Sequence, residues 1–551
     1  MNTSLTPDRP SIPRRRRGSA LAGVGLAAAL VLSACGGDTA DDNGAGDAAD
    51  TGDNGEAEAG GTVSTYTCEP QNLQPGNNTE NCGSRVLDQL FTGLTDVDYE
   101  TYEALPAVAT DWETEDQVTW TFNLSEDYTF HNGDPVTAQT FVDTWNWVVQ
   151  PDNAQAGANF HNKFLGYAEV ADGEAEEMEG VRALDDYTLE IELEEPFGQL
   201  PIVLTYTSFY PMPAEAFDDM DAFQDAPIGN GRYQMDGEWV RGVEVAMDRY
   251  EDWGGEDRGT PDRIEWRIYN DVETAYLDVQ AGELDILGEV PPNRIPQVEA
   301  DFGENYSQNE SSRFVYIGMP MYQEEFEDVE VRRALSMAMD REEIIDNIFD
   351  GAMTPATSII PPVLPMSREG ACEYCEFDPE AAAELYEEAG GPTEFTMYTD
   401  TGIGHDEYVE AIANQWTENL PIDDITFQTM EFAQYLDLHD NDEVTGPFRL
   451  GWLLAYPSPQ YAMEPLYSTG AASNNAGYAS DEFDEAIREA NFADVEDSDE
   501  LYQAAEDILL EDLPVLPLFF QDYFIVHTDR VDNINMDLSS YIRVEDVVVQ
   551  D

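Results

Sequence analysis

Thr119-Trp120-Thr121-Phe122-Asn123-Leu124, then His131-Asn132-Gly133-Asp134-Pro135, then Thr137 through Val149, is the stretch on which the fold turns. Trp120, Phe122 and Leu124 alternate with polar neighbours, which predicts a half-buried strand. Asn-Gly and Asp-Pro are turn formers, so His131 reads as a turn residue rather than a catalyst. Thr137 is a fitting N-cap for a helix running to Val149. Working outward, 62–68 and 188–193 also alternate like strands. Helices are predicted over 84–94, 328–350, 378–389, 481–491 and 499–510; the 378–389 helix starts at Asp378-Pro379 and stops at Gly390-Gly391. No 20–50-residue repeat interrupts the mixture. The 551 residues exceed what one core supports, about 250–300. The expectation is therefore an α/β protein of two lobes or more.

Charge sets the chain apart. Asp and Glu number 115 against 24 Lys and Arg, and Lys163 is the single lysine. Beyond residue 34 there remain 19 basic and 114 acidic residues. Such self-repulsion calls for screening, and at molar salt the Debye length is only about 3 Å. A high-salt habitat follows. An aromatic content of 11% argues against an acidic disordered chain. Nucleic acid is excluded as a partner, because phosphate contacts need clustered Lys or Arg. The acidic coat thus describes the solvent, not the ligand.

Arg14 to Arg17 precede an apolar run, Leu21 to Leu32, and then Leu32-Ser33-Ala34-Cys35-Gly36. This resembles a bacterial lipoprotein signal: residues 1–34 would be removed and Cys35 acylated. Adjacent arginines also allow twin-arginine export. The run of twelve residues is too short to span roughly 30 Å of hydrocarbon. Residues 35–60, rich in Gly, Ala, Asp and Glu, read as an extended tether. Cys68, Cys82, Cys372 and Cys375 remain, an even number that favours disulfides in an oxidising compartment. Proximity suggests Cys68–Cys82 and Cys372–Cys375, out of three possible pairings. A redox or metal role for Cys372-Glu373-Tyr374-Cys375 is the alternative; its acidic loop has no βαβ context and no second CxxC.

Several segments in order carry a family likeness. They are Leu90-Phe91-Thr92-Gly93-Leu94, the 120–142 stretch, Val181-Arg182-Ala183-Leu184-Asp185-Asp186-Tyr187-Thr188-Leu189, and Ile228-Gly229-Asn230-Gly231-Arg232-Tyr233. Asp328-Val329-Glu330-Val331-Arg332-Arg333-Ala334-Leu335 with Asp340-Arg341 follows, then Gly451-Trp452 and Asn474-Asn475-Ala476-Gly477-Tyr478. Together they resemble family 5 of the bacterial extracellular solute-binding proteins, the oligopeptide-, dipeptide- and nickel-binding proteins of ABC importers. The resemblance implies a two-lobed periplasmic-binding-protein type II clamshell with an additional third domain. Lobe I would comprise 61–95, 226–310 and 511–551, the additional domain 96–225, and the other lobe 311–510. Solute would bind between the lobes and be buried by hinge closure. On their own chemistry, Gly229 and Gly231 mark a tight chain crossing. Asp328, Arg332, Arg333, Asp340 and Arg341 read as N-caps, helix-surface charges and local ion pairs.

In the oligopeptide branch a Gly-Trp-x-x-Asp run supplies the acid for the peptide's amino group. Here the run ends at Ala455, so a free N-terminus held in that way is in doubt. By the same resemblance Arg449 and His405 fall near positions serving a peptide carboxylate, and Phe432 near a ligand-facing Trp. Asn78 and Thr79 lie in a loop bordering the cleft, and Trp452, Tyr456 and Tyr478 complete the candidates. Core packing is the other reading of Trp452, Phe432, Tyr456 and Tyr478, and an ion pair that of Arg449.

Among functions, an exported hydrolase or metalloenzyme finds no HExxH, no GxSxG with partners and only five histidines. No enzyme activity, cofactor or metal is expected. The expected role is a monomeric receptor, lipid-anchored on the outer face of the cytoplasmic membrane, that captures peptides and delivers them to an ABC permease. A sugar or nickel chelate as ligand, or a sensor without an importer, are the alternatives, since fold does not set specificity.

Overall fold

The computed structural model describes residues 60–99, 101–401 and 405–550. The expected signal, Cys35 and the tether through residue 59 lie outside the described residues. Three sheets organise the chain. The first has seven strands in the order Tyr306–Asn309, Tyr523–His527, Ile286–Leu287, Thr62–Thr67, Arg263–Ile268, Glu244–Arg249, Tyr233–Met235. Thr62–Thr67 sits centrally and pairs in parallel with Arg263–Ile268, so almost all of it is buried. Val63, Val245, Met247, Ile264, Trp266 and Ile525 form its core, against which Val86, Leu87 and Leu90 of the helix Asn81–Leu90 pack. A disulfide joins Cys68, just beyond the strand, to Cys82 in that helix.

The second sheet has six strands in the order Met353–Pro355, Val515–Gln521, Phe314–Gly318, Phe448–Trp452, Glu394–Asp400, Asp424–Met430. Helices Val329–Met337, Arg341–Phe349, Pro379–Ala389 and His405–Asn419 contribute to its core. The region expected as one helix over 328–350 is two, each capped by an aspartate: Asp328 accepts from the Glu330 N–H and Asp340 from the Glu343 N–H. Arg333 pairs with Glu330 and Glu511 as a surface charge should. Arg332 and Arg341 differ from expectation. Both are buried and spend their guanidinium donors mainly on backbone carbonyls, Arg332 on those of Phe326, Glu327, Asp512 and Leu513, Arg341 on those of Ser336, Cys375 and Pro517. Burial pushes the Arg341 guanidinium down to about 9. The helix expected from 499 begins at Val495 and the one expected over 84–94 ends at Leu90. Cys372 and Cys375 are joined by the second disulfide.

The third sheet is antiparallel, in the order Ala109–Thr114, Thr119–Leu124, Thr188–Glu192, Val181–Asp185. Trp120, Phe122 and Leu124 are buried as their alternation requires, and the helix Ala138–Val149 with its Thr137 cap contributes Phe141 and Trp145 to the same core. His131 ties this body to the first sheet. Its Nδ1 accepts from the Gly229 N–H and its Nε2 donates to the Gly231 carbonyl, both at 3.2 Å. Burial pushes the imidazole down to about 4, so it stays neutral there. The 229–231 segment passes directly over the end of the helix Asn81–Leu90.

The chain passes between the first two sheets at 309–314 and again at Asp522. Since Val515–Gln521 pairs with Phe314–Gly318, the last change of sheet falls at residue 522, later than the expected 511. Gln308 and Thr354 donate to the Asp522 carboxylate at 2.7 and 3.3 Å, and burial pushes its carboxyl up to about 6.

A Cβ on Gly229 would overlap the Leu90 carbonyl and also crowd His131. Gly229→Ala should lower stability by about 3 kcal/mol, the upper range for overpacking. A urea titration in high salt reads this directly; an unchanged midpoint would show that the crossing is looser than described.

Candidate ligand site

Two cavities open between the first- and second-sheet bodies. One, of about 620 Å³, is walled by Asp271, Glu273, Glu289 and Tyr523 on the first side and by Arg313, Met353 and His405 on the second. The other is small, about 80 Å³, and is enclosed by Asp88, Asp96, Tyr99, Asp537 and Tyr541 facing Ala455 and Tyr456, with Thr207 and Tyr210 of the additional domain closing one side. The strand Phe448–Trp452 and its continuation run between them. Arg449 stands behind His405 at one end, and Ala455 lies at the other.

The ends differ in chemistry. At the first, His405 Nδ1 lies 2.9 Å from Asp400 Oδ1, Arg449 Nη1 lies 3.4 Å from the same oxygen, and Arg449 Nε donates to the Tyr408 hydroxyl at 2.6 Å. Burial raises the Asp400 carboxyl, but the His405 hydrogen bond and the charges of His405 and Arg449 outweigh it and hold the group below its usual range. Arg449 is thus committed to an internal ion pair, and His405 is the member of the set that reaches the cavity. At the second end, burial and then the neighbouring charges of Glu545 and Asp96 push Asp88 up to about 7. Asp537 is also pushed to about 7, by burial first and by the charges of Asp88 and Glu545. Asp88 accepts from the Tyr210 hydroxyl and Asp537 from the Tyr541 N–H, at 3.0 and 2.8 Å. Both carboxyls are partly accessible yet densely surrounded, as groups on a cavity wall are.

The remaining expected residues scatter. Phe432 begins the helix Phe432–Asp440 and is 52% exposed, so it is not core. It lies at the same end of the parallel strand pair as His405. Tyr456 is buried, its hydroxyl donating to Gln460 at 2.8 Å. Trp452 donates to the Tyr461 carbonyl and lines a third cavity, toward the additional domain. Asn78 is fully buried and its amide is used locally, on Ser84, Asn72 and Glu80. Thr79 is exposed beside it. Tyr478 is core, its hydroxyl held by Asp512 at 2.6 Å. Sequence reasoning missed Asp88 and Asp537. Nothing separates them in sequence from the other acids; only enclosure does.

Among the described residues no group of three or more His, Cys, Asp or Glu is placed to hold a metal, and no helix is long and apolar enough to cross a membrane. Comparison with known proteins agrees with the architecture. Oligopeptide-binding protein OppA of Bacillus subtilis is 26% identical over 535 residues, covering 92% of this chain and 95% of its own. The structure of CtaP, an ABC transporter substrate-binding protein from Listeria monocytogenes, superposes with a TM-score of 0.77 at 20% identity, over 90% of this chain and 100% of that one. Haemophilus influenzae OppA, solved in complex with RPPGFSPFR, gives 0.72 at 24% identity, over 89% and 99%. The fold is the two-lobed type II clamshell. The family model for the middle region of bacterial extracellular solute-binding proteins, family 5, matches residues 103–474, and the chain belongs to that family.

Proposed function

We propose that this chain is the substrate-binding lipoprotein of an ABC importer. In this reading Cys35 anchors it to the outer face of the cytoplasmic membrane, and it captures peptides in the cleft between the lobes and hands them to the permease. The relatives support the ligand class: OppA of Bacillus subtilis is an oligopeptide-binding protein, and the Haemophilus influenzae OppA structure holds a peptide. The observation that carries the reading is that Asp88 and Asp537, with Arg232 beside them, line the cavity that Ala455 closes from the other lobe. A peptide has an ammonium at one end and a carboxylate at the other, and burying either needs a matched partner. Asp88 and Asp537 sit opposite Ala455 and supply the acid that position lacks. His405 and Arg313, with Arg449 positioning His405 through Asp400, face the carboxylate end. Tyr456 and Phe432 add contact area at low entropic cost. The lobe and domain limits expected from sequence, with the last crossing moved to 522, complete the proposal.

One observation favours a second reading. Ala455 removes the usual acid, which suits a solute without a free amino terminus, such as a sugar or chelate.

Native mass spectrometry of the exported protein, kept in high salt until a brief exchange, separates the two. A ladder of masses fragmenting to mixed peptides is expected. A single non-peptide mass would overturn the peptide reading and leave the receptor intact.

Asp537 also makes a pH prediction. Its folded value, about 7, lies above the unfolded one, 3.8. The folded state therefore holds a proton that the unfolded state has lost, and the stability this adds at low pH disappears as pH rises through 7. Asp537→Asn should flatten that slope and raise the melting temperature at pH 8 relative to the parent, while weakening peptide binding. Greater stability with unchanged affinity would remove Asp537 from the site.

A further inference from the structure

The third cavity, of about 610 Å³, lies between the additional domain and the second lobe, beside the interlobe cleft, with Tyr456 as the wall it shares with the smaller interlobe cavity. We infer that it is a second binding site, for a neutral planar aromatic solute carrying a hydrogen-bond acceptor.

The walls are aromatic from both sides. Phe160, Phe164 and Phe197 come from the additional domain; Trp452, Tyr456 and Tyr461 come from the second lobe. The rings form a row that crosses the boundary. Phe160 lies 4.4 Å from Tyr206 and 6.2 Å from Tyr461, stacked on the latter at 25°; Tyr461 lies 5.2 Å from Trp452 and 4.6 Å from Tyr456. The volume falls in the range of small-molecule pockets, about 300–1,000 Å³, and the aromatic walls are interleaved with polar groups such as Asn162, Lys163, Gln460 and Ser468. Flat rings prefer offset stacking and edge contacts on such walls, which an aliphatic solute of equal area cannot match.

Two polar groups point to the acceptor. Ser468 lines this cavity, and its Oγ is buried without a hydrogen-bond partner. A buried hydroxyl left unmet is costly, and a ligand acceptor removes that cost. Lys163, the single lysine of the chain, lies on the same wall. Its Nζ donates to Glu464 at 2.9 Å and sits 4.6 Å from the centre of the Phe197 ring. An ammonium has three N–H donors, so after Glu464 it retains capacity for a ligand oxygen. Burial would raise Glu464, but the charge of Lys163 and hydrogen bonds from Gln460, Lys163 and Asn491 hold its carboxyl below the usual range. The corner already contains one balanced ion pair, which favours a neutral ligand over an anion beside Glu464. The contacts that join the two bodies here also include Gln117 to Asp494 at 2.7 Å and Gly198 N–H to the Asn491 carbonyl at 3.0 Å, so the pocket is held from outside its own walls.

Isothermal titration in molar salt, on the protein with and without a bound peptide, tests this with indole-3-acetamide as probe and cyclohexylacetamide as its non-planar control. The expected result is one site for the indole amide, present also in the peptide-loaded protein, with the control much weaker. Ser468→Ala and Lys163→Met should each weaken it at least about fivefold, while Asp537→Asn leaves it unchanged. Circular dichroism confirms that each variant is folded, and Ser468→Ala carries the test should Lys163→Met fail to fold. Absence of binding, equal binding of the control, insensitivity to Ser468→Ala, or one-for-one displacement by peptide would each overturn the second site.

Discussion

Everything the two lobes do together depends on the short passage where the chain changes sheet. Gln521 donates its N–H to the Arg313 carbonyl at 2.9 Å, and the Ser311 hydroxyl donates to the Gln521 carbonyl at 2.6 Å. The two connections are therefore bonded to each other where they cross. One residue further, Asp522 receives Gln308 from the first sheet and Thr354 from the second. Two connections side by side allow rotation about one line and oppose sliding, which is the geometry hinge closure needs. The larger interlobe cavity opens beside that line, with Arg313 and Asp522 in its wall, so the cavity and the crossing share residues.

The acidic composition decides how the scarce cations are used. Exposed ion pairs contribute little even in dilute buffer. Arg332 and Arg341 are instead buried, where each donates to several backbone carbonyls. Arg263 holds Asp236, Asp248 and Glu265 together across neighbouring strands. Positive charge thus serves to close local structure. Stability rests on four apolar cores among the described residues, which excluded salts strengthen rather than screen.

Much of this was legible in sequence because the relevant signals are local. Alternation over Thr119–Leu124, the Asn-Gly and Asp-Pro turn, and the Asp378 cap each determine backbone within a few residues, and each appears in the structure. The break inside 328–350 was half legible: Asp340 reads as an N-cap, but Ser336-Met337-Ala338-Met339 before it carry no Gly or Pro to stop the preceding helix. Arg332 and Arg341 were misread for a different reason. Their burial depends on Val515–Gln521 arriving from far along the chain to cover them, which no local pattern encodes. The site suffers the same fate. Arg449 and His405 fell near each other because strand order brings Phe448–Trp452 beside Glu394–Asp400, whereas Asn78 is used within its own loop and Tyr478 is held in the core by Asp512.

Ala455 shows what a missing group can tell. Replacing an acid by alanine in a chain so rich in acids is not a general loss of charge; it is local. In the structure the space opposite that methyl group is flanked by Asp88 and Asp537, both pushed up to about 7 by burial first and then by neighbouring carboxylates, Glu545 and Asp96 at Asp88, Asp88 and Glu545 at Asp537. Two carboxyls that repel are a poor arrangement for an empty protein and a good one for a protein that receives a cation, since the ligand relieves the repulsion as it binds. A single aspartate on the moving lobe would make the amine contact only on closure. Carboxyls on the first lobe and on the C-terminal segment make it before closure, so recognition of the charged end would precede, and help drive, the hinge motion.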